Sequence, residues 1–160
     1  MMKRLLTTML SAGLLAAPGL PLEAQPAIRP SATFLFAERG SEGLWMDVYA
    51  PASGTEGLGM PTLLYVFGGG FKTGNRDHES LIPFYKRLTD DGYRVVAIDY
   101  RLGLKDVTKM GIAQRDLLKK AIDMAVEDLF SATVFLLDNA EATGVDPAKI
   151  VLCGSSAGAI

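Results

Sequence analysis

The chain has one cysteine and one histidine in 160 residues, and it has no block of like charge. The lone cysteine, Cys153, excludes an internal disulfide. Set inside an apolar run, it reads as a small buried hydrophobe rather than a catalytic thiol. Sixteen Lys and Arg stand against eighteen Asp and Glu, for a net charge of -2. With no basic cluster, nucleic acid is not an expected partner. Internal repeats and low-complexity tracts are absent. What is abundant is apolar side chain, 49% of residues, enough to build the core of one domain.

The N-terminus reads as a targeting segment. Lys3 and Arg4 form a positive start, Leu5 to Leu15 an apolar stretch, and Leu22-Glu23-Ala24 a small-residue cleavage site. The apolar stretch is too short for a comfortable membrane span. Residues 1–24 are therefore expected to be a secretory signal peptide, with a membrane anchor as the alternative. A lipid anchor at the cleavage site is excluded because no cysteine lies there. Residues 25–160 are expected to form the folded part, secreted or periplasmic, with no stable membrane insertion once the signal is removed.

The most informative stretch is Lys149 to Gly158, KIVLCGSSAG. Ile150 to Cys153 is a short apolar run with β-branched residues after Asp146-Pro147, the pattern of a buried strand. It runs into Gly154-Ser155-Ser156-Ala157-Gly158, a G-x-S-x-G pattern. Three fixed residues in five arise by chance in roughly one chain in twenty of this length, so position decides. On a strand-to-helix turn the pattern makes a nucleophile elbow, holding Ser156 clear of the sheet on a strained turn. The flanking glycines are needed because a Cβ at either place would crowd that turn. The Ala157 N–H then lies where it can help hold an oxyanion. The alternative is a plain Gly/Ser loop.

Upstream, Gln25 to Ser31 is an extended lead-in. Thr33 to Phe36 and Leu44 to Tyr49, separated by a Gly40 to Gly43 turn, read as an antiparallel hairpin ending at Pro51. Ala52 to Pro61 is a glycine-rich loop. Thr62 to Phe67 and Tyr93 to Ile98 are continuous apolar runs, as strands buried on both faces should be. Between them, Asp77 to Ser80 offer side-chain caps for a helix over Leu81 to Leu88, closed by Asp90-Asp91-Gly92. Gly103 to Met110 is a loop. One long helix is expected from about Ile112 to Ala142, with Leu117, Ala121, Met124, Ala125, Asp128, Ala132 and Phe135 on its inner stripe and Gly144 stopping it. The order is hairpin, strand, helix, strand, helix, strand. It predicts an α/β fold whose last three strands are parallel and joined by right-handed crossovers.

Gly68-Gly69-Gly70 needs a reason, because glycine costs entropy where it is not required. A phosphate loop fails: Lys72-Thr73 follows Phe71, not glycine. A dinucleotide G-x-G-x-x-G fails in all three registers. The remaining functional reading is an oxyanion loop after a central strand, with a flexible turn as the alternative.

FGGGF, then DYRL, then GSSAG resembles the α/β-hydrolase serine esterases, in particular the carboxylesterase and hormone-sensitive-lipase-like branches. The likeness runs from about Thr33 to the end, with the motifs in the family's order. It implies the N-terminal portion of an α/β-hydrolase fold, with Ser156 as nucleophile and the N–H groups of Gly69, Gly70 and Ala157 as the oxyanion hole. It also implies a structural turn at Asp99, Tyr100 and Arg101. We expect Arg101 to pair with Asp128, the alternative being that both are solvated. Many relatives carry a structural histidine before the glycines, where this chain has Phe67.

The implied activity is hydrolysis of carboxylic esters through an acyl-enzyme, without metal or organic cofactor. Substrates would be small-molecule or carbohydrate-linked esters outside the cell. A secreted peptidase of the same fold, or a non-catalytic binding module, are the alternatives. The chain order in this fold is serine, acid, histidine. His78 precedes Ser156 and is expected to be a cap or loop residue, and Asp99, Asp116 and Asp128 are likewise misplaced for the acid. The acid and histidine are therefore expected beyond Ile160, making this the N-terminal part of a longer frame. A product stopping there should leave its last strand as an apolar edge, aggregate, and lack esterase activity.

Overall fold

The computed structural model describes residues 28–51, 61–108 and 115–160. The expected signal peptide, all but the end of the Ala52–Pro61 loop, and the expected first turn of the long helix lie outside the described residues.

The hairpin forms from β1 (Ala32–Arg39) and β2 (Glu42–Tyr49), antiparallel and longer than the apolar runs alone suggested. The turn is tighter than expected, because Gly40 takes φ +64° and lets the strands continue to Arg39 and Glu42. Then come β3 (Thr62–Val66), α1 (Ile82–Asp90), β4 (Arg94–Ile98), α2 (Arg115–Asp138), α3 (Ala140–Thr143) and β5 (Ile150–Gly154). They form one sheet in the order β1-β2-β4-β3-β5. β2 pairs antiparallel with β4, and β3 pairs parallel with both β4 and β5. This pairing positions the site. With Val66 opposite Gly154, the glycine run after β3 and the turn after β5 leave the sheet side by side.

The core sits on the inner strands. All five residues of β4 are buried, consistent with elements on both faces. Leu44, Met46, Val48, Leu64, Val95 and Ile98 are each at most 1% exposed, and each such side chain contributes about 1.5–3 kcal/mol on burial.

Four expectations need correction. First, α1 has no side-chain cap: Leu81 stands at its N-cap. His78 and Ser80 instead bond each other, and a proline in the first turn removes one N–H that a cap would otherwise serve. Second, the long helix breaks. The Asn139 side-chain amide and its backbone N–H both donate to the Phe135 carbonyl at 2.9 Å, and the chain leaves helical geometry there. Gly144, at φ +65°, closes α3 rather than α2. Third, Leu117 is 40% exposed, whereas Leu136, which the expected stripe left out, is fully buried. The buried line runs Ala121, Asp128, Ala132, Leu136, and Leu117 lies one turn before its start. Fourth, β5 is not a buried strand: Val151 is 52% and Leu152 58% exposed, and among the described residues β5 lies at the apolar sheet edge expected for this product. Cys153 is correspondingly half-buried rather than buried.

Arg101 and Asp128 do pair. The Asp128 carboxylate, 0% exposed, accepts from Arg101 Nε at 2.8 Å, from the Arg101 backbone N–H at 2.9 Å and from Arg39 Nε at 3.1 Å. Glu127 adds a second carboxylate to Arg101. The hydrogen bonds to Asp128 outweigh burial and hold the Arg101 guanidinium above its ordinary pKa. The pair ties the turn after β4 to the middle of α2.

Candidate active site

β5 ends at Gly154, and the Ser155 N–H still donates to Val66 O at 3.2 Å, as a last rung toward β3. At Ser156 the backbone switches to φ +50°, the left-handed region. For a residue with a Cβ this costs about 1–2 kcal/mol. The chain then enters a 3₁₀ turn, Ser156–Ala159, closed by Gly158 N–H donating to Ser155 O at 2.9 Å. A Cβ on Gly154 would stand 1.9 Å from Gly158 O, and one on Gly158 would stand 2.2 Å from Val66 O. Both flanking glycines are therefore required by close backbone approach. Ser156 is left exposed at the tip, with Ala157 buried behind it.

The glycine loop lies against this turn. A Cβ on Gly68 would meet Ser155 O at 2.7 Å and Ser156 Cβ at 3.1 Å. Gly69 has φ +133° and Gly70 φ +64°. Gly69 O accepts from both Lys72 N–H and Thr73 N–H at 3.1 Å, which turns the loop back on itself. Among the described residues, no backbone carbonyl accepts from the N–H of Gly69 or Gly70.

Phe67, just before the glycine run, is buried and stacks on Tyr100 with ring centroids 4.5 Å apart. Tyr100 Oη donates to Phe67 O at 3.0 Å, and burial pushes its phenol up to about 12. The aromatic pair thus supports the start of the glycine loop without a histidine.

His78 is exposed, and its Nδ1 lies 2.9 Å from Ser80 Oγ. Asp99 pairs with Arg76, Asp128 with two arginines, and Asp116 is exposed on the first described turn of α2. Asp99 and Asp128 anchor arginines, Asp116 lies on the surface, and His78 is a loop residue that caps no helix. Among the described residues no cluster of three or more His, Cys, Asp or Glu is placed to hold a metal ion, and no helix is long and apolar enough to cross a membrane. A small apolar cleft of about 40 Å³ lies behind the turn, between Ala157, Ile160 and the α2 residues Ile122 and Leu129, and Ser156 does not line it.

Sequence reasoning missed Tyr65. Its Oη donates to Ser155 Oγ at 3.0 Å, beside the strained serine. Its ring packs between Phe84 and Tyr85, with centroids 5.5 Å from each. The only sequence signal was a phenol near the end of an otherwise aliphatic strand.

Known proteins share this fold. The apo form of Thermogutta terrifontis esterase 2 superposes with a TM-score of 0.64 at 26% identity, covering 86% of this chain and 46% of that one. Its propionate-bound form gives a TM-score of 0.62 at 25% identity, covering 79% and 42%. Carboxylesterase 5A of Ovis aries is 32% identical over 117 residues, 73% of this chain and 29% of that protein. Fumonisin B1 esterase of Sphingopyxis macrogoltabida is 28% identical over 124 residues, 72% and 21%. The chain thus spans under a third of these curated relatives and under half of the solved esterases. The five-stranded mixed sheet with its crossover helices is the α/β-hydrolase arrangement of those esterases. The sequence profile of the BD-FAE family matches residues 46–160, from the middle of β2 through the serine turn, and the chain belongs to that family.

Proposed function

We propose that this chain carries the nucleophile and the oxyanion donors of a secreted serine hydrolase of carboxylic esters. The observation that carries the reading is the left-handed Ser156 at the tip of β5, pressed against a glycine loop whose N–H groups at Gly69 and Gly70 have no backbone acceptor among the described residues. A strained backbone on an exposed polar residue is a cost the fold bears for function.

In the proposed reaction, Ser156 Oγ attacks the ester carbonyl and its proton passes to a histidine base. The carbonyl oxygen becomes an oxyanion held by the N–H groups of Gly69, Gly70 and Ala157. Each well-placed donor is worth about 3 kcal/mol in the transition state. Collapse releases the alcohol, which takes the proton back, and leaves an acyl-Ser156. Water then releases the acid and regenerates the serine. The acid and histidine of the triad would follow Ile160, as serine-acid-histidine order requires. The leader-like residues 1–24 support export, and with it small-molecule or carbohydrate-linked extracellular esters as substrates. Propionate and butyrate bound to the Thermogutta enzyme support a short acyl group.

The test is on the full-length protein. Wild type should take up a fluorophosphonate probe and hydrolyse p-nitrophenyl butyrate, and Ser156→Ala should abolish both. Labelling that persists in Ser156→Ala, or a folded wild type that neither labels nor turns over, would overturn the reading. Export is tested separately, by finding the N-terminus of the mature protein near Gln25.

A further inference from the structure

The glycine loop has a structural problem. Two consecutive left-handed glycines can adopt many backbone conformations, and an oxyanion hole works only if its donors are already in place. Its outgoing limb is well held. Phe71 is buried, lies edge-on to Tyr100 at 6.2 Å, and its carbonyl accepts from Leu104 N–H at 2.9 Å. The return limb starts at Gly74, where a Cβ would stand 2.6 Å from Gly68 O. Two residues on comes Arg76, the one ion-paired residue of this limb among the described residues.

Arg76 sits in a prepared socket. Its Nη1 donates to Asp99 Oδ2 at 2.7 Å, and its Nε lies 2.9 Å from Asp47 Oδ2. The second contact is ionic only, since the Nε–H does not meet hydrogen-bond geometry. Both acids are fixed by the sheet. Asp47 Oδ1 accepts from Thr33 Oγ1 at 2.6 Å, and Asp99 Oδ2 accepts from Trp45 N–H at 3.1 Å. On the far side, Tyr85 Oη donates to Arg76 O at 2.9 Å. Asp47 is 3% exposed within the buried half of β2, a position where a carboxylate is costly without a cationic partner. Burial opposes the Arg76 charge, and the two carboxylates outweigh it, holding the guanidinium above its ordinary pKa.

We infer that Arg76 is the positioning residue of the oxyanion loop: clamped between Asp47 and Asp99, it fixes the return limb so that Gly69 and Gly70 hold their N–H groups toward Ser156. The inference rests on the esterase reading above. Arg76 touches no reacting atom, and acts through the loop. Its planar fork reaches both carboxylates, which a lysine ammonium cannot do in the same place.

The test compares Arg76→Met, Arg76→Lys and wild type as full-length protein, with Arg87→Met as control. Arg87 makes an exposed ion pair with Asp91 and bonds neither Arg76 nor its two carboxylates. Rates are normalised to fluorophosphonate-reactive serine. Arg76→Met should lower kcat on p-nitrophenyl butyrate by about 10- to 100-fold, the effect of a misplaced catalytic group. KM should stay within about threefold, since the lost interaction belongs to the transition state. Arg76→Lys should fall between, and Arg87→Met should match wild type. Hydrogen exchange in residues 68–76 should speed up by about tenfold in Arg76→Met with α2 unchanged. If Arg76→Met does not fold, Arg76→Lys and Asp99→Asn carry the same comparison. Folded Arg76 variants with wild-type kcat and wild-type exchange would overturn the inference, as would a lower melting temperature alone with kcat per reactive serine unchanged. If wild type lacks turnover, the esterase reading fails, and the exchange result still decides whether Arg76 holds the loop.

Discussion

Asp128 is the residue whose loss the structure prices most directly. It is fully buried on α2, with Arg101 and Arg39 on its two oxygens and the Arg101 backbone N–H as a further donor. Removing one member of a buried ion pair costs about 3–5 kcal/mol, because the remaining charge keeps its desolvation penalty without its partner. Here the lower end applies. Arg101 retains Glu127, and the Arg39 side chain is 23% exposed and can reach water. Asp128→Ala should therefore destabilise the protein by about 3 kcal/mol. Asp128→Asn keeps the shape but weakens charge-assisted hydrogen bonds, and should cost about 2 kcal/mol. Glu127→Gln, on an exposed carboxylate, should shift the unfolding midpoint little and only at low salt. The assay is urea unfolding of full-length variants by circular dichroism, at two salt concentrations. The Asp128 effects should persist at high salt, and probe labelling per folded molecule should be unchanged. Asp128→Ala within 1 kcal/mol of wild type would refute the reasoning that this pair anchors the β4 turn to α2.

Other consequences are equally open to measurement. Gly158→Ala places a Cβ 2.2 Å from Val66 O, so it should abolish probe labelling and lower the melting temperature; a well-folded, fully labelled variant would contradict the packing at the turn. Tyr65→Phe removes the hydrogen bond to Ser155 Oγ but keeps the ring between Phe84 and Tyr85, so it should slow labelling by up to about tenfold with little change in stability; unchanged labelling would reduce Tyr65 to a packing residue. Burial pushes Tyr49 and Tyr100 up to about 12, above the ordinary phenol value near 10 of the unfolded chain. Their neutral forms thus contribute stability that is whole below about pH 10 and lost as pH rises through about 12. An alkaline titration should show late phenolate steps for Tyr49, Tyr100 and Tyr85, which burial also raises, coinciding with loss of the fold, and ionisation of all tyrosines near pH 10 with the fold intact would count against it.

Much of this molecule was determined by local sequence. The five strands, their order with the helices, the hairpin and the serine turn are legible because their signals are local. Apolar runs mark buried strands, glycine marks left-handed turns, and G-x-S-x-G after such a run admits few backbone solutions. The Arg101–Asp128 pair was expected from the resemblance to the α/β-hydrolase esterases, and the burial of the carboxylate on α2 accounts for it, since a buried charge needs a partner. Other features were decided only in three dimensions. The break at Asn139 coincides with one side-chain amide sharing the Phe135 carbonyl with the backbone, a local contact that periodicity does not register. The exposure of Val151 and Leu152 depends on which strands pair beside β5, and their composition carries no trace of it. Asp47, Arg76 and Asp99 come from three separate stretches of the chain, and Tyr65 lies 90 residues from Ser155. Their contacts exist because β4 lies between β2 and β3, and β3 between β4 and β5, bringing the ends of distant strands together. Sequence determines which residues can carry the chemistry, and the parallel pairing of β3 with β5 decides which of them meet, because side-chain contacts across a sheet follow strand order in space and not in the chain.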